Sequence, residues 1–169
     1  RFDRVRYAHI ADEMLAQAFP ANPIIAATTT TPVSIEGPAV IRIERMDGGI
    51  GVAPVANVTT QQLSEVFTSA SRYADHRAMR WSKLLLNCIG NASGAILDLP
   101  PAQLFTDKRL FKFEMRMLRE ILAVMRAMKI DVVDLPGYPA RSLARAVRLL
   151  RPGPVASGAE RACPYGDTP

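Results

Sequence analysis

Arg80-Trp-Ser-Lys-Leu-Leu-Leu-Asn-Cys-Ile-Gly-Asn-Ala-Ser-Gly-Ala-Ile-Leu97 is the stretch on which the reading of this chain turns. It is apolar around most of its circumference at helical spacing, which predicts a largely buried helix over residues 76–97. Polar residues on such a helix need a reason. At about 100° per residue with Lys83 at zero, Asn87 falls near 40°, Asn91 near 80°, Gly94 near 20° and Gly90 near 340°. These five share one stripe, and Leu84, Leu85, Cys88, Ile89, Ala92, Ala95 and Ile96 fill the facing arc. Glycine in a helix costs roughly 1 kcal/mol against alanine and asparagine is also a poor former, so packing or function must offset Gly90, Gly94 and the two asparagines. Two glycines beside a lysine and two amides leave a shelf for a small polar ligand, with the ammonium supplying charge or a proton. The same spacing also suits a lysine that reaches solvent and glycines that admit a close helix neighbour, and spacing alone favours that blander reading.

Outward from this stretch, Pro100 and Pro101 end the first helix, and a second is predicted over 107–129 with Phe111, Met115, Leu118, Leu122, Met125 and Met128 on one face. Such a methionine stripe reads as core. Asp134-Leu-Pro-Gly-Tyr-Pro139 separates it from a third helix at 139–150. Upstream, Tyr7 to Phe19 has helical spacing stopped by Pro20, and Ile24–Thr31, Ala39–Glu44 and Ile50–Pro54 read as strands. Thr59 and Thr60 are N-cap candidates for a further helix ending near Tyr73. The organisation is therefore α/β over residues 1–73, all-α over 74–150, and an irregular tail, poor in periodicity, over 151–169.

Bulk properties restrict the function. No apolar run approaches the roughly 18 residues that a membrane span needs, and the first residues do not read as a signal peptide, so a cytoplasmic protein without membrane partners is expected. The net charge of +5 is spread over amphipathic segments, with Arg141, Arg145, Arg148 and Arg151 as a solvated helical face, so no nucleic-acid partner is expected. Cys88 and Cys163 have no metal-ligand spacing, His9 and His76 have no ligand partner, and no metal site is expected.

Trp81-Ser-Lys83-Leu-Leu-Leu-Asn87-Cys-Ile-Gly-Asn91 resembles the signature of the ketopantoate reductase (2-dehydropantoate 2-reductase) family, in which Trp-x-Lys is followed by asparagines four and eight residues on. Thr28-Thr-Thr-Thr-Pro32 and Gly48-Gly-Ile-Gly-Val-Ala-Pro54 resemble late strands of that family's nucleotide-binding domain, and Glu120 with Ala123–Ile130 resembles its second long helix. The resemblance spans roughly residues 10–150. It implies the C-terminal part of a Rossmann-type domain, then a helical domain like that of 6-phosphogluconate dehydrogenase. It also implies NADPH as cofactor, a 2-keto acid, ketopantoate first, as substrate, Lys83 as catalytic acid, and Asn87 and Asn91 as substrate-binding residues. A homodimer is compatible with it.

The chain departs from that pattern. It has no G-x-G-x-x-G to hold a pyrophosphate, so it is expected to be an incomplete piece, inactive alone, with its cofactor-binding residues unassigned. The family's Asn-Gly pair before the first helix is replaced by Arg4-Val-Arg-Tyr-Ala-His9, and Pro101 stands where some members carry a third asparagine. A reductase of another 2-keto acid and a non-catalytic helical dimerisation module remain alternatives.

Overall fold

The computed structural model describes residues 3–149. The tail expected at 151–169, like Arg151, lies outside them. Helix α1 (Asp3–Ala18) is followed by strands β1 (Ile24–Thr29), β2 (Val33–Gly37), β3 (Val40–Ile43) and β4 (Ile50–Ala56). Helix α2 (Thr60–Val66) and the short strand β5 (Ser71–Arg72) come next, and the remaining chain is helical: α3 (His76–Asn87), α4 (Asn91–Leu97), α5 (Pro101–Thr106), α6 (Lys108–Ala127) and α7 (Ala140–Leu149). The class is α/β followed by all-α, as the sequence implies.

β1 and β4 are antiparallel, with Ala26 opposite Ala53 and Thr28 opposite Gly51, and β5 adds to β4 in parallel. Small residues at 26, 51 and 53 leave the sheet face low enough for α3 to pack on both strands. Gly51 has no room for a side chain, since a Cβ there would stand 2.9 Å from Tyr73 and 3.2 Å from the sulfur of Met79. β2 and β3 form a separate hairpin whose apolar residues stay in solvent, Ile35 at 82% exposure.

Two cores meet on α3. On one side Met79 joins Ala26, Ala53 and Leu135 against the sheet. On the other, Ala78 and Leu85 join Leu118, Leu122 and Met125 of α6 and Ala144 and Val147 of α7. Burying each of the Leu, Met and Val side chains contributes roughly 1.5–3 kcal/mol, so α3 is held from both sides. Between the cores the buried Ser82 hydroxyl accepts the backbone N–H of Val133 at 2.8 Å. The 134–139 turn returns to the sheet, where Thr30 donates its hydroxyl to the carbonyl of Pro136 at 2.8 Å. Gly137 is in the left-handed region at φ +73°, with Asp47 so close that a Cβ would clash.

The helix ends follow local chemistry. Asp75 caps α3 by accepting Arg77 N–H, and Asp107 caps α6 by accepting from Arg109 and Leu110, which holds the Asp107 carboxyl below its usual range. Thr59 and Gln62 form a reciprocal capping box on α2.

Three expectations are corrected. The helix predicted over 76–97 is two helices, interrupted between Asn87 and Asn91 with Gly90 at φ +71°. The common stripe of Lys83, Asn87, Gly90, Asn91 and Gly94 therefore ends at Asn87, and Ala92, Ala95 and Ile96 lie exposed instead of on a core arc. The helix expected to end near Tyr73 stops at Val66, because Ser71–Arg72 pairs with β4. On α6, Leu118, Leu122 and Met125 are buried as predicted, but Phe111 and Met128 at the ends of the stripe are only partly covered, at 38% and 42% exposure.

Candidate functional site

α3 has a third face besides its two packed ones. His76, Arg80, Lys83 and Asn87 lie along it at steps of four, three and four residues. Its first half is taken up by α1. The Arg80 guanidinium donates to both carboxylate oxygens of Asp12, at 2.9 and 2.8 Å, and to the carbonyl of Ala27 at 2.9 Å. His76 lies 3.3 Å from Glu13. Asp12 is buried, so this fork is a shielded, charge-assisted contact.

One turn further on the pairing stops. Lys83 is half-buried, and no described residue forms a hydrogen bond or ion pair with it, Asn87 or Asn91. Burial pushes the Lys83 ammonium below its ordinary range, and no carboxylate opposes the shift. Asn87 is exposed as the last residue of α3, one turn from Lys83 on the same face. Asn91 is also exposed but begins α4 beyond the break. The structure thus brings Lys83 and Asn87 together on one helix face and puts Asn91 on the next element. Chemically, they offer one cation able to release a proton and two amides able to donate and accept.

The residue that organises the break was not anticipated. Glu114 of α6 is fully buried, accepts the N–H of Gly90 at 3.0 Å and accepts the Ser93 hydroxyl at 2.5 Å. Its signal was present in the sequence: position 114 lies between Phe111 and Leu118 on the apolar stripe, where an acid is out of place. The carboxylate also helps burial to raise the Cys88 thiol above its ordinary range. Asp12 gave no such signal, since its partner is 68 residues away.

Among the described residues nothing resembles a dinucleotide cradle. α2 and α3 follow strands, but the N-terminus of α2 is closed by its capping box and that of α3 carries the Asp75 carboxylate, which opposes a phosphate. Among the described residues no group of three side chains could hold a metal ion, and no helix is long and apolar enough to cross a membrane. A cavity of about 910 Å³ lies away from Lys83, between the end of α6 and α7, with Arg126, Lys129, Arg141, Arg145 and Arg148 at its rim. These cations are all exposed; Arg126 and Lys129 come from the end of α6 and the turn after it, and Arg141, Arg145 and Arg148 from α7, beside its buried Ala140, Ala144 and Val147.

The ketopantoate reductase PanE/ApbA C-terminal family matches residues 75–149, the stretch from the Asp75 cap to the end of α7. A PanE/ApbA family ketopantoate reductase from Ralstonia eutropha JMP134 superposes with a TM-score of 0.55 at 25% identity, over 73% of this chain and 40% of that one. Through this segment, which is less than half of its length, the chain is similar to the ketopantoate reductase PanE/ApbA C-terminal family. The fold likeness extends to 2-dehydropantoate 2-reductase from Methylococcus capsulatus, with a TM-score of 0.57, 18% identity and coverage of 83% of this chain and 46% of that one. It extends also to D-mandelate dehydrogenase in complex with NADH, with a TM-score of 0.59, 18% identity and coverage of 80% and 46%. Comparison with curated protein sequences gives no match. The chain spans less than half the length of these solved members and neighbours.

Proposed function

We propose that this chain supplies the proton donor and substrate-binding amides of a 2-keto acid reductase, an oxidoreductase whose first candidate substrate is ketopantoate. The observation that carries the proposal is Lys83: an ammonium whose pKa is lowered by burial, without a partner among the described residues, one turn from an exposed amide, inside the segment that matches the ketopantoate reductase family. Structural lysines are ordinarily solvated or paired, and this one is neither fully.

In this reading the ketone oxygen of the substrate lies against Lys83 Nζ. As the carbonyl is reduced, Lys83 gives a proton to the developing alkoxide, so the oxygen leaves as a hydroxyl and the lysine as a neutral amine that solvent reprotonates. A depressed pKa makes that transfer easier near neutral pH. Asn87 and Asn91 hydrogen-bond the substrate's carboxylate and hydroxyl and limit its orientations. Reduction requires a hydride donor, and a nicotinamide nucleotide, NADPH by the family resemblance, is the candidate. The residues described form no cradle for its phosphates, so the chain's own contribution is the acid and the amides. The protein is proposed to be cytoplasmic, with a small keto acid as its partner.

The test is oxidation of NADPH by the full-length protein with ketopantoate. Loss of general acid help in Lys83→Ala lowers turnover by about 10²- to 10⁴-fold; undiminished turnover removes Lys83 from the mechanism. The fold likeness to D-mandelate dehydrogenase supports a second reading, an aryl-substituted 2-keto acid. A Lys83-dependent activity on such a substrate, but not on ketopantoate, selects it.

A further inference from the structure

The buried carboxylate of Glu114 has no role in the chemistry just described, yet it governs the geometry between two of its residues. Gly90 cannot cap α4 with a side chain, its φ is +71°, and a Cβ there would lie 3.4 Å from Leu104. Glu114 supplies what the glycine lacks, one carboxylate oxygen accepting Gly90 N–H and the other accepting the Ser93 hydroxyl. The carboxylate is fully buried, and no cation forms an ion pair with it among the described residues. Such a group is tolerated only while both donors are in place. An apolar residue at 114 would continue the stripe from Phe111 to Leu118 and serve the packing of α6 at least as well.

What the acid does instead is pin the residues on either side of Asn91. Were the interruption closed into one helix, Asn91 would lie about 40° past Asn87 and one turn beyond it. The left-handed Gly90 breaks that register, and Glu114 holds the break. We infer that Glu114 is a positioning residue for the substrate: through Gly90 and Ser93 it fixes the angle between α3 and α4, and thereby where Asn91 meets the keto acid. This rests on the proposed role of Asn91 in substrate binding.

The experiment is steady-state kinetics of the full-length protein carrying Glu114→Gln or Ser93→Ala, each also combined with Asn91→Ala. Glu114→Gln keeps the shape and mispairs one donor, and Ser93→Ala removes a single hydrogen bond. Either change raises KM for the keto acid about tenfold with kcat within about twofold, the pattern of lost substrate binding. The cofactor KM is unchanged. In the Asn91→Ala background neither change raises KM further. An undiminished effect in that background, or no effect on KM in a folded single variant, overturns the inference. If Glu114→Gln loses its circular dichroism signal, Ser93→Ala decides the question alone. Lys83→Ala separates the two proposals: a Lys83-dependent activity without coupling between 114 and 91 refutes only the positioning role, whereas turnover indifferent to Lys83 refutes the reductase reading.

Discussion

Asp12 and Arg80 join α1 to the polar face of α3, and their coupling can be worked out from the geometry. Two charge-assisted bonds close a fork at 2.9 and 2.8 Å. The Asp12 side chain is 5% exposed and the Arg80 side chain 29%. Breaking a buried pair from one side costs about 3–5 kcal/mol, most of it from the charge left behind. Asp12→Asn leaves a guanidinium that can partly rehydrate and still donates to Ala27, so its cost should fall to about 2 kcal/mol. Arg80→Met leaves a carboxylate that cannot rehydrate and should cost about 3–4 kcal/mol. The double variant, with the charges gone from both sides, should cost less than the sum by about 1.5 kcal/mol or more. Urea unfolding of the four proteins gives these values from the midpoints if the slopes agree. Because the pair is shielded, the coupling should persist at about 0.5 M salt, where exposed pairs are screened. A coupling below about 0.5 kcal/mol, or one that vanishes with salt, would show that α1 is not held by this contact.

Two further predictions concern the same helix. Ser82→Ala removes the acceptor of Val133 N–H and should destabilise by about 1–3 kcal/mol, read as a lower urea midpoint at unchanged slope; a change under about 0.3 kcal/mol would mean that the amide finds another acceptor. Burial lowers the Lys83 pKa, so above it the unfolded chain binds the proton that the folded chain has released. Stability should therefore rise as pH climbs through the folded value toward the ordinary lysine value of 10.5, and Lys83→Met should flatten that rise. Parallel melting-temperature profiles for the two proteins would contradict the shift. Under the proposed function, the same shift should bring the alkaline loss of activity closer to neutrality, because the acid form of Lys83 would be the one required.

Apolar periodicity was a sound guide to structure over much of the chain. The bounds of α6 and α7 and the strands β1 and β4 follow from apolar spacing and from prolines at the ends, and Thr59 caps its helix as its chemistry suggests. It failed where a distant contact overrides a local pattern. Residues 76–97 have a continuous helical period because the angular arithmetic is blind to a left-handed glycine, and Gly90 is left-handed where a carboxylate 24 residues away accepts its N–H. β5 was invisible for a similar reason: two polar residues become a strand only because β4 lies beside them. Of the candidate site, Lys83 and Asn87 were placed together correctly, since both lie before the break, and Asn91 was placed in a register that the chain does not keep.

One face of α3 carries both paired and unpaired polar residues among those described. His76 and Arg80 show what α3 does with polar residues when structure is their only purpose: each meets an acid on α1, and Asp12 accepts both arms of its partner. One turn later, at Lys83, the helix offers no acid, although burial disfavours the charge there and a carboxylate would relieve it. A chain selected only for stability would remove that unfavourable charge or pair it, since either change stabilises the fold at neutral pH. A partly desolvated ammonium with no partner among the described residues, beside an exposed amide, is what the proposed proton transfer would require. The paired half of the stripe is thus the internal control for the unpaired half.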